Sequence, residues 1–111
     1  MPKLRFEHRS VFLTAIANEQ RLRVLEMLSK GEVAVMELSE KIGISQSALS
    51  QHLAKLRMAK MVTTRREAQT IFYSVTSPEV RKILATLEGI FEPADPEPAE
   101  HEIAKLRSVR G

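Results

Sequence analysis

Apolar residues recur along this chain with two different periods, and the change of period organises it. From residue 7 to residue 17, Val11, Phe12, Ala15 and Ile16 fall at helical spacing. Asn18 stands where a helix N-cap is wanted, because its side-chain oxygen accepts a bond from an amide that the first turn leaves unpaired. A second helix is predicted from Glu19 to Ser29 on Leu22, Leu25 and Leu28, with Gly31 past its end. A third, short helix from Val35 to Ile42 puts Val35, Leu38 and Ile42 on one face. Gly43 ends it and Ser45 offers the next N-cap. A fourth helix, from Gln46 to Lys60, carries a narrow apolar stripe of Leu49, Leu53 and Leu56.

The period then shortens. Met61 to Arg66 and Thr70 to Val75 are rich in Val, Thr, Ile, Phe and Tyr, and Glu67, Ala68 and Gln69 separate them, which predicts a two-stranded hairpin. Ser77-Pro78 opens a last helix with proline in its first turn; its apolar residues are Val80, Ile83, Leu84, Leu87 and Phe91. Beyond Phe91, Pro93, Pro96 and Pro98 stand among acids, a composition that predicts a disordered tail over 92–111.

Composition narrows the functions open to such a chain. Its 111 residues fit one small domain, expected over 1–91, and its 43% apolar content is enough for a core. The net charge of +3 is a weak pointer to a polyanion, but its distribution is sharper. Lys41, Lys55, Arg57, Lys60, Arg65 and Arg66 fall in a stretch from 41 to 66 that holds no acid. The tail instead carries Glu92, Asp95, Glu97, Glu100 and Glu102 against Lys105, Arg107 and Arg110. There is no cysteine, which removes disulfides, thiolate metal sites and thiol switches. No apolar run is long enough to span a membrane, and the first residues lack an uninterrupted apolar signal region, so a cytoplasmic protein is expected.

Two short helices joined through Gly43 make a helix-turn-helix candidate. The fourth helix is the test of it. Opposite its leucine stripe lie Ser47, Gln51, Ala54 and Lys55, with Ser50 on the flank. A helix entering the major groove needs small or hydrogen-bonding residues without negative charge there, and this helix has no acid. An ordinary solvated face mixes signs, as the second helix does with Glu19, Arg21, Arg23 and Glu26. Gln46, Ser47, Ser50 and Gln51 are the expected base readers, and Lys55 and Arg57 expected phosphate contacts. The hairpin adds Arg65 and Arg66 before its turn and Gln69 and Thr70 after it, a basic ribbon suited to a backbone or a minor groove. The competing reading of the hairpin is an exposed loop with a solubilising tip. His52 admits two readings: a histidine packed and bonded within the motif, or a phosphate contact. No nucleophile–base pair, phosphate loop or metal cluster points to an enzyme, and no cofactor is expected.

The run from Glu37 through Ser-Gln-His-Leu-Ala-Lys-Leu-Arg at 50–57, with the hairpin after it and Asn18-Glu-Gln-Arg-Leu-Arg-Val-Leu before it, resembles the ArsR/SmtB family of bacterial repressors over about residues 10 to 90. The resemblance implies a winged helix-turn-helix of five helices and a two-stranded wing, a homodimer, and a two-fold-symmetric, AT-rich operator in double-stranded DNA. The chain departs from the family's metal sensors. Where they carry cysteines at the start of the third helix it has Ala34 and Met36, and its last helix offers Ser77, Glu79 and Glu88 without a histidine. No metal is expected, since His8, His52 and His101 have no ligand-like spacing.

The first and last helices carry apolar residues beyond what the winged core needs. Val11, Phe12 and Ile16, with Val80, Ile83, Leu84, Leu87 and Phe91, are the expected dimer interface; the alternative is that they pack on each other within one chain. Two further readings stand beside DNA binding: a protein-interaction adaptor on a winged fold, which acids on the fourth helix would have favoured, and a ligand-responsive sensor with a pocket between the first and last helices.

Overall fold

The computed structural model describes residues 2–91, so the expected tail over 92–111 lies outside the described residues. The elements run α1 (Pro2–Ile16), α2 (Glu19–Ser29), β1 (Val33–Ala34), α3 (Val35–Ile42), α4 (Gln46–Met58), β2 (Val62–Glu67), β3 (Thr70–Val75) and α5 (Pro78–Phe91). Two compact units divide within α5, between Val80 and Arg81.

Local chemistry sets the helix ends. Asn18 is extended and its side chain accepts from Arg21 N–H at 3.0 Å, capping α2. Ser45 does the same for α4, its Oγ accepting from Ala48 N–H at 3.1 Å. Gly43 closes α3 with φ +82°, the left-handed backbone that a side chain resists. The turn from Gly43 to Ser45 is drawn tight by Ser39, whose hydroxyl donates to Ile44 O at 2.7 Å. At the start of α5, Ser77 Oγ accepts from Val80 N–H at 3.3 Å. The fourth helix stops earlier than its pattern predicts. Lys60 turns left-handed at φ 59°, its N–H bonds to Arg57 O, and Met61 N–H bonds to Leu56 O at 3.0 Å, which together make a Schellman ending without glycine. Met61 is thereby delivered into the core, 1% exposed.

The sheet has three strands, not two. β1 pairs antiparallel with β3 (Val33 opposite Tyr73, Ala34 opposite Phe72), and β3 pairs with β2 from Val62 opposite Val75 to Glu67 opposite Thr70. A two-residue strand has no period to read, which is why the pattern hides it. Glu67 belongs to β2, so the wing turns through Ala68 and Gln69 alone. Ala68 takes φ 56°, a left-handed conformation unusual for alanine.

The core of the first unit is built from one face of each element: Val24, Leu25 and Leu28 of α2, Leu38 and Ile42 of α3, Leu49, Leu53 and Leu56 of α4, and Met61, Val62, Tyr73 and Val75 around the sheet. Val24 holds a place at 0% exposure, while Leu22 is half-buried. Two expected interface residues belong to this core. Ile16 is 5% exposed and Val80 is fully buried, because their positions on α1 and α5 face inward. Of the remainder on α1, Val11 is exposed and Phe12 half-buried. In the second unit Ile83, Leu84 and Leu87 are half-buried and Phe91 is exposed.

Candidate nucleic-acid interface

α4 presents its polar face as the sequence predicts. Leu49, Leu53 and Leu56 are buried, and Gln46, Ser47, Ser50, Gln51, Lys55 and Arg57 are all exposed. Ser47 Oγ lies 3.2 Å from Ser45 Oγ, so the N-cap and the first turn share one hydroxyl network. Gln46, Ser50 and Gln51 keep their hydrogen-bonding groups free of protein partners among the described residues. The helix N-terminus adds its partial positive charge to this end.

The wing's two arginines differ. Alternation in β2 puts Arg66 on the face shared with Val62 and Thr64, and Arg65 on the opposite face with Thr63 and Glu67. Arg66 is exposed, with no carboxylate bonded to it among the described residues. Arg65 is engaged three ways. Its Nε and Nη2 donate to Glu32 at 2.9 and 2.8 Å, its Nη1 donates to Glu67 at 3.1 Å, and its guanidinium lies 4.6 Å from the centre of the Phe72 ring. Glu32 immediately precedes β1, so Arg65 reaches across Phe72 of the central strand and staples one edge of the sheet to the other. The pairing holds the Glu32 carboxyl below its usual range, the Arg65 hydrogen bond being the largest cause, and raises the Arg65 guanidinium through Glu32 first and then Glu67. Arg65 thus meets a phosphate only by exchanging carboxylates for it. Gln69 and Thr70, at the tip, are exposed.

His52 is half-buried and its Nδ1 accepts from Arg21 Nη1 at 3.3 Å, so the bond within the motif is present. Burial first, and then the Arg21 and Lys55 charges, holds its pKa below the ordinary histidine value. Arg21 itself is the residue the pattern misplaces. Read as part of a solvated face, it is 7% exposed. Its Nε donates to Ala15 O at 2.6 Å and its Nη2 to Thr14 O at 3.2 Å, carbonyls of the last turn of α1. A cation at a helix C-terminus meets the negative end of the dipole, which is how it is accommodated with no carboxylate bonded to it among the described residues. A basic residue at helical spacing with its neighbours carries no mark of burial in the sequence, and the Asn18 cap three residues earlier fixes only the start of α2.

Among the described residues no group of three or more His, Asp or Glu is placed to hold a metal ion, and no helix is long and apolar enough to cross a membrane.

A short helix pair with a glycine-containing turn, an acid-free exposed second helix and a basic hairpin beside it define a winged helix-turn-helix, a DNA-reading architecture. Residues 18–64 match the model of the bacterial regulatory protein, arsR family. Nodulation protein NolR of Rhizobium meliloti is 56% identical over 80 residues, 72% of this chain and 66% of that protein, so the chain spans just under two thirds of its length. The transcriptional activator HlyU of Vibrio cholerae is 51% identical over 81 residues, 73% of this chain and 75% of that protein. In structure, NolR from Sinorhizobium fredii superposes with a TM-score of 0.79 at 50% identity, covering 84% of this chain and 93% of that one. A homodimeric winged helix-turn-helix DNA-binding domain from Mycobacterium bovis superposes at 0.74 and 25% identity, covering 80% and 82%. The chain belongs to the ArsR family, and it is a DNA-binding transcriptional regulator.

Proposed function

We propose that this regulator is a homodimeric repressor that occupies a two-fold-symmetric, AT-rich operator and so excludes polymerase from the promoter. The observation that carries the reading is the exposed, acid-free face of α4 beside a wing whose Arg66 has no carboxylate partner among the described residues. Gln46, Ser47, Ser50 and Gln51 read base edges, glutamine pairing with adenine through two bonds. His52, Lys55, Arg57 and Arg66 contact phosphates, and Gln69 and Thr70 reach the backbone beside the wing tip. Arg65 joins them by leaving Glu32.

The dimer uses exposed Val11 and half-buried Phe12 of α1, with Ile83, Leu84, Leu87 and Phe91 of α5. Two-fold symmetry then sets the recognition helices about one turn of DNA apart. The homodimeric relative supports this assembly. HlyU is named an activator, so repression is the part of the proposal that the family does not carry.

The test is selection of bound duplexes from a random pool, followed by gel shifts and in vitro transcription. A palindromic, AT-rich consensus that loses transcription on binding supports the reading. Equal binding to all duplexes, or a Gln51→Ala variant weakened everywhere with its base preference intact, sinks it.

A further inference from the structure

We propose that Arg21 is a positioning residue for the recognition helix: anchored on the last turn of α1, it fixes the His52 ring so that Nε2–H faces outward as a donor to the DNA backbone. The inference deepens the reading of α4 as the DNA interface and rests on it.

A guanidinium has five donors and no acceptor. Its contact with His52 Nδ1 at 3.3 Å therefore requires a lone pair on Nδ1. A neutral imidazole with a lone pair on Nδ1 carries its proton on Nε2, and the ring geometry directs that N–H away from Arg21. The guanidinium cannot swing to suit the ring, because Nε and Nη2 are bonded to Ala15 O and Thr14 O and the side chain is buried. Thus α1 fixes Arg21, Arg21 fixes the ring, and the ring belongs to α4.

The outer edge of the ring has the right neighbour. His52 is only half-buried, and Lys55, three residues on, is adjacent to it on the helix surface and exposed. A fixed N–H beside a mobile ammonium is a matched pair for one phosphate: the first supplies direction and the second charge. The charged groups that act on His52 are Arg21 from α2 and Lys55 from its own helix, both cations. They favour the neutral ring that this geometry needs.

Nitrogen-15 NMR of the full chain at pH 8 reads the tautomer directly. The Nε2–H form is expected in the free protein, and a mixture in Arg21→Met, recorded where urea unfolding shows that variant still folded. Two His52 variants test the role without touching Arg21. His52→Asn puts an acceptor where Nδ1 stands and lacks the outer donor. It should keep the thermal midpoint and lose about three- to tenfold in operator affinity, the equivalent of one hydrogen bond. His52→Gln places an amide near Nε2 and should retain most of the affinity. An Nδ1–H ring in the wild-type chain, or His52→Asn binding as tightly as wild type, overturns the proposal. A chain that shows the Nε2–H ring yet binds no duplex overturns instead the reading of α4 on which the outer donor's role depends.

Discussion

Two arginines hold this molecule together in opposite ways. Arg21, beneath α4, is buried and gives its donors to two backbone carbonyls and a histidine. Arg65, at the base of the wing, is 49% exposed and gives its donors to two carboxylates over an aromatic ring. The first is 7% exposed and its bond to Ala15 O is buried, so losing it leaves that carbonyl without a partner, while the part-buried bonds to Thr14 O and His52 are lost with it. The second exchanges its partners for water at little cost, since an exposed ion pair is screened and its Coulomb gain is small. The junction under the recognition helix is therefore rigid by necessity, and the wing is fastened by a contact that a phosphate can compete for.

The largest effect that separates the two should come from deleting the arginines in turn. Arg21→Ala should lower unfolding free energy by about 2–4 kcal/mol, the cost of stranding charge-assisted bonds in the interior. Arg65→Ala should leave the urea midpoint close to wild type. Equal losses at the two sites would mean that the two arginines are fastened with the same strength.

On DNA the order reverses, because there the exposed side is what counts. Arg66→Ala should reduce the slope of log affinity against log salt by about one, with base preference unchanged. Glu32→Gln should do the opposite: with its main carboxylate partner neutralised, Arg65 is released toward phosphate, and the slope should steepen. If Glu32→Gln leaves the slope where it was while Arg66→Ala lowers it, then Arg65 is a staple of the sheet and nothing more.

That asymmetry also marks where the sequence could be read and where it could not. Asn18, Gly43, Ser45 and Pro78 set helix ends by local chemistry, each within one turn of its effect, and all four do what their residue types predict. The polar face of α4 follows from a period alone. Arg21 and Glu32 do not, because their roles depend on which elements meet. Arg21 is buried by α1 folding back and by α4 arriving from 31 residues away, and its own helix gives no sign of either. Glu32 bonds a residue 33 positions on, through a register that exists only once β1 has joined the sheet. The same limit explains Ile16 and Val80, whose apolar character fits a dimer face and a core equally well.

Acid should loosen the two regions at different pH values. His52 has a folded pKa below 6.5, so the unfolded chain takes up the proton first. The stability tied to the neutral ring is complete above that value and is lost as pH falls from it through the folded pKa. Glu32 has a folded pKa below 4.5, so its contribution persists until pH falls beneath that value and through its own folded pKa. Urea midpoints followed from pH 8 to pH 3 should therefore fall mainly in the upper window, a decline that His52→Gln removes. The exposed Glu32–Arg65 pair should add only a small further decline at lower pH, no larger than the effect of Arg65→Ala, and Glu32→Gln should remove that one alone.

The smallest expected effect concerns the wing tip, where the fastening is backbone rather than charge. Ala68 sits at φ 56°, which costs an L-residue about 1–2 kcal/mol against right-handed backbone. Glycine escapes that cost but gives the unfolded chain more freedom, a loss of about 0.5–1 kcal/mol. The difference favours Ala68→Gly by about 0.5 kcal/mol, read as a small rise in urea midpoint with the slope of unfolding unchanged. The turn has only Ala68 and Gln69 to reverse the chain, and both flank the exposed strand ends that carry Arg66 and Thr70. A strained alanine there narrows the directions the tip can take, whereas glycine widens them. Ala68→Gly should accordingly stabilise the free protein slightly while leaving operator affinity unchanged or lower, and a gain in both would mean that the tip's direction does not matter to binding.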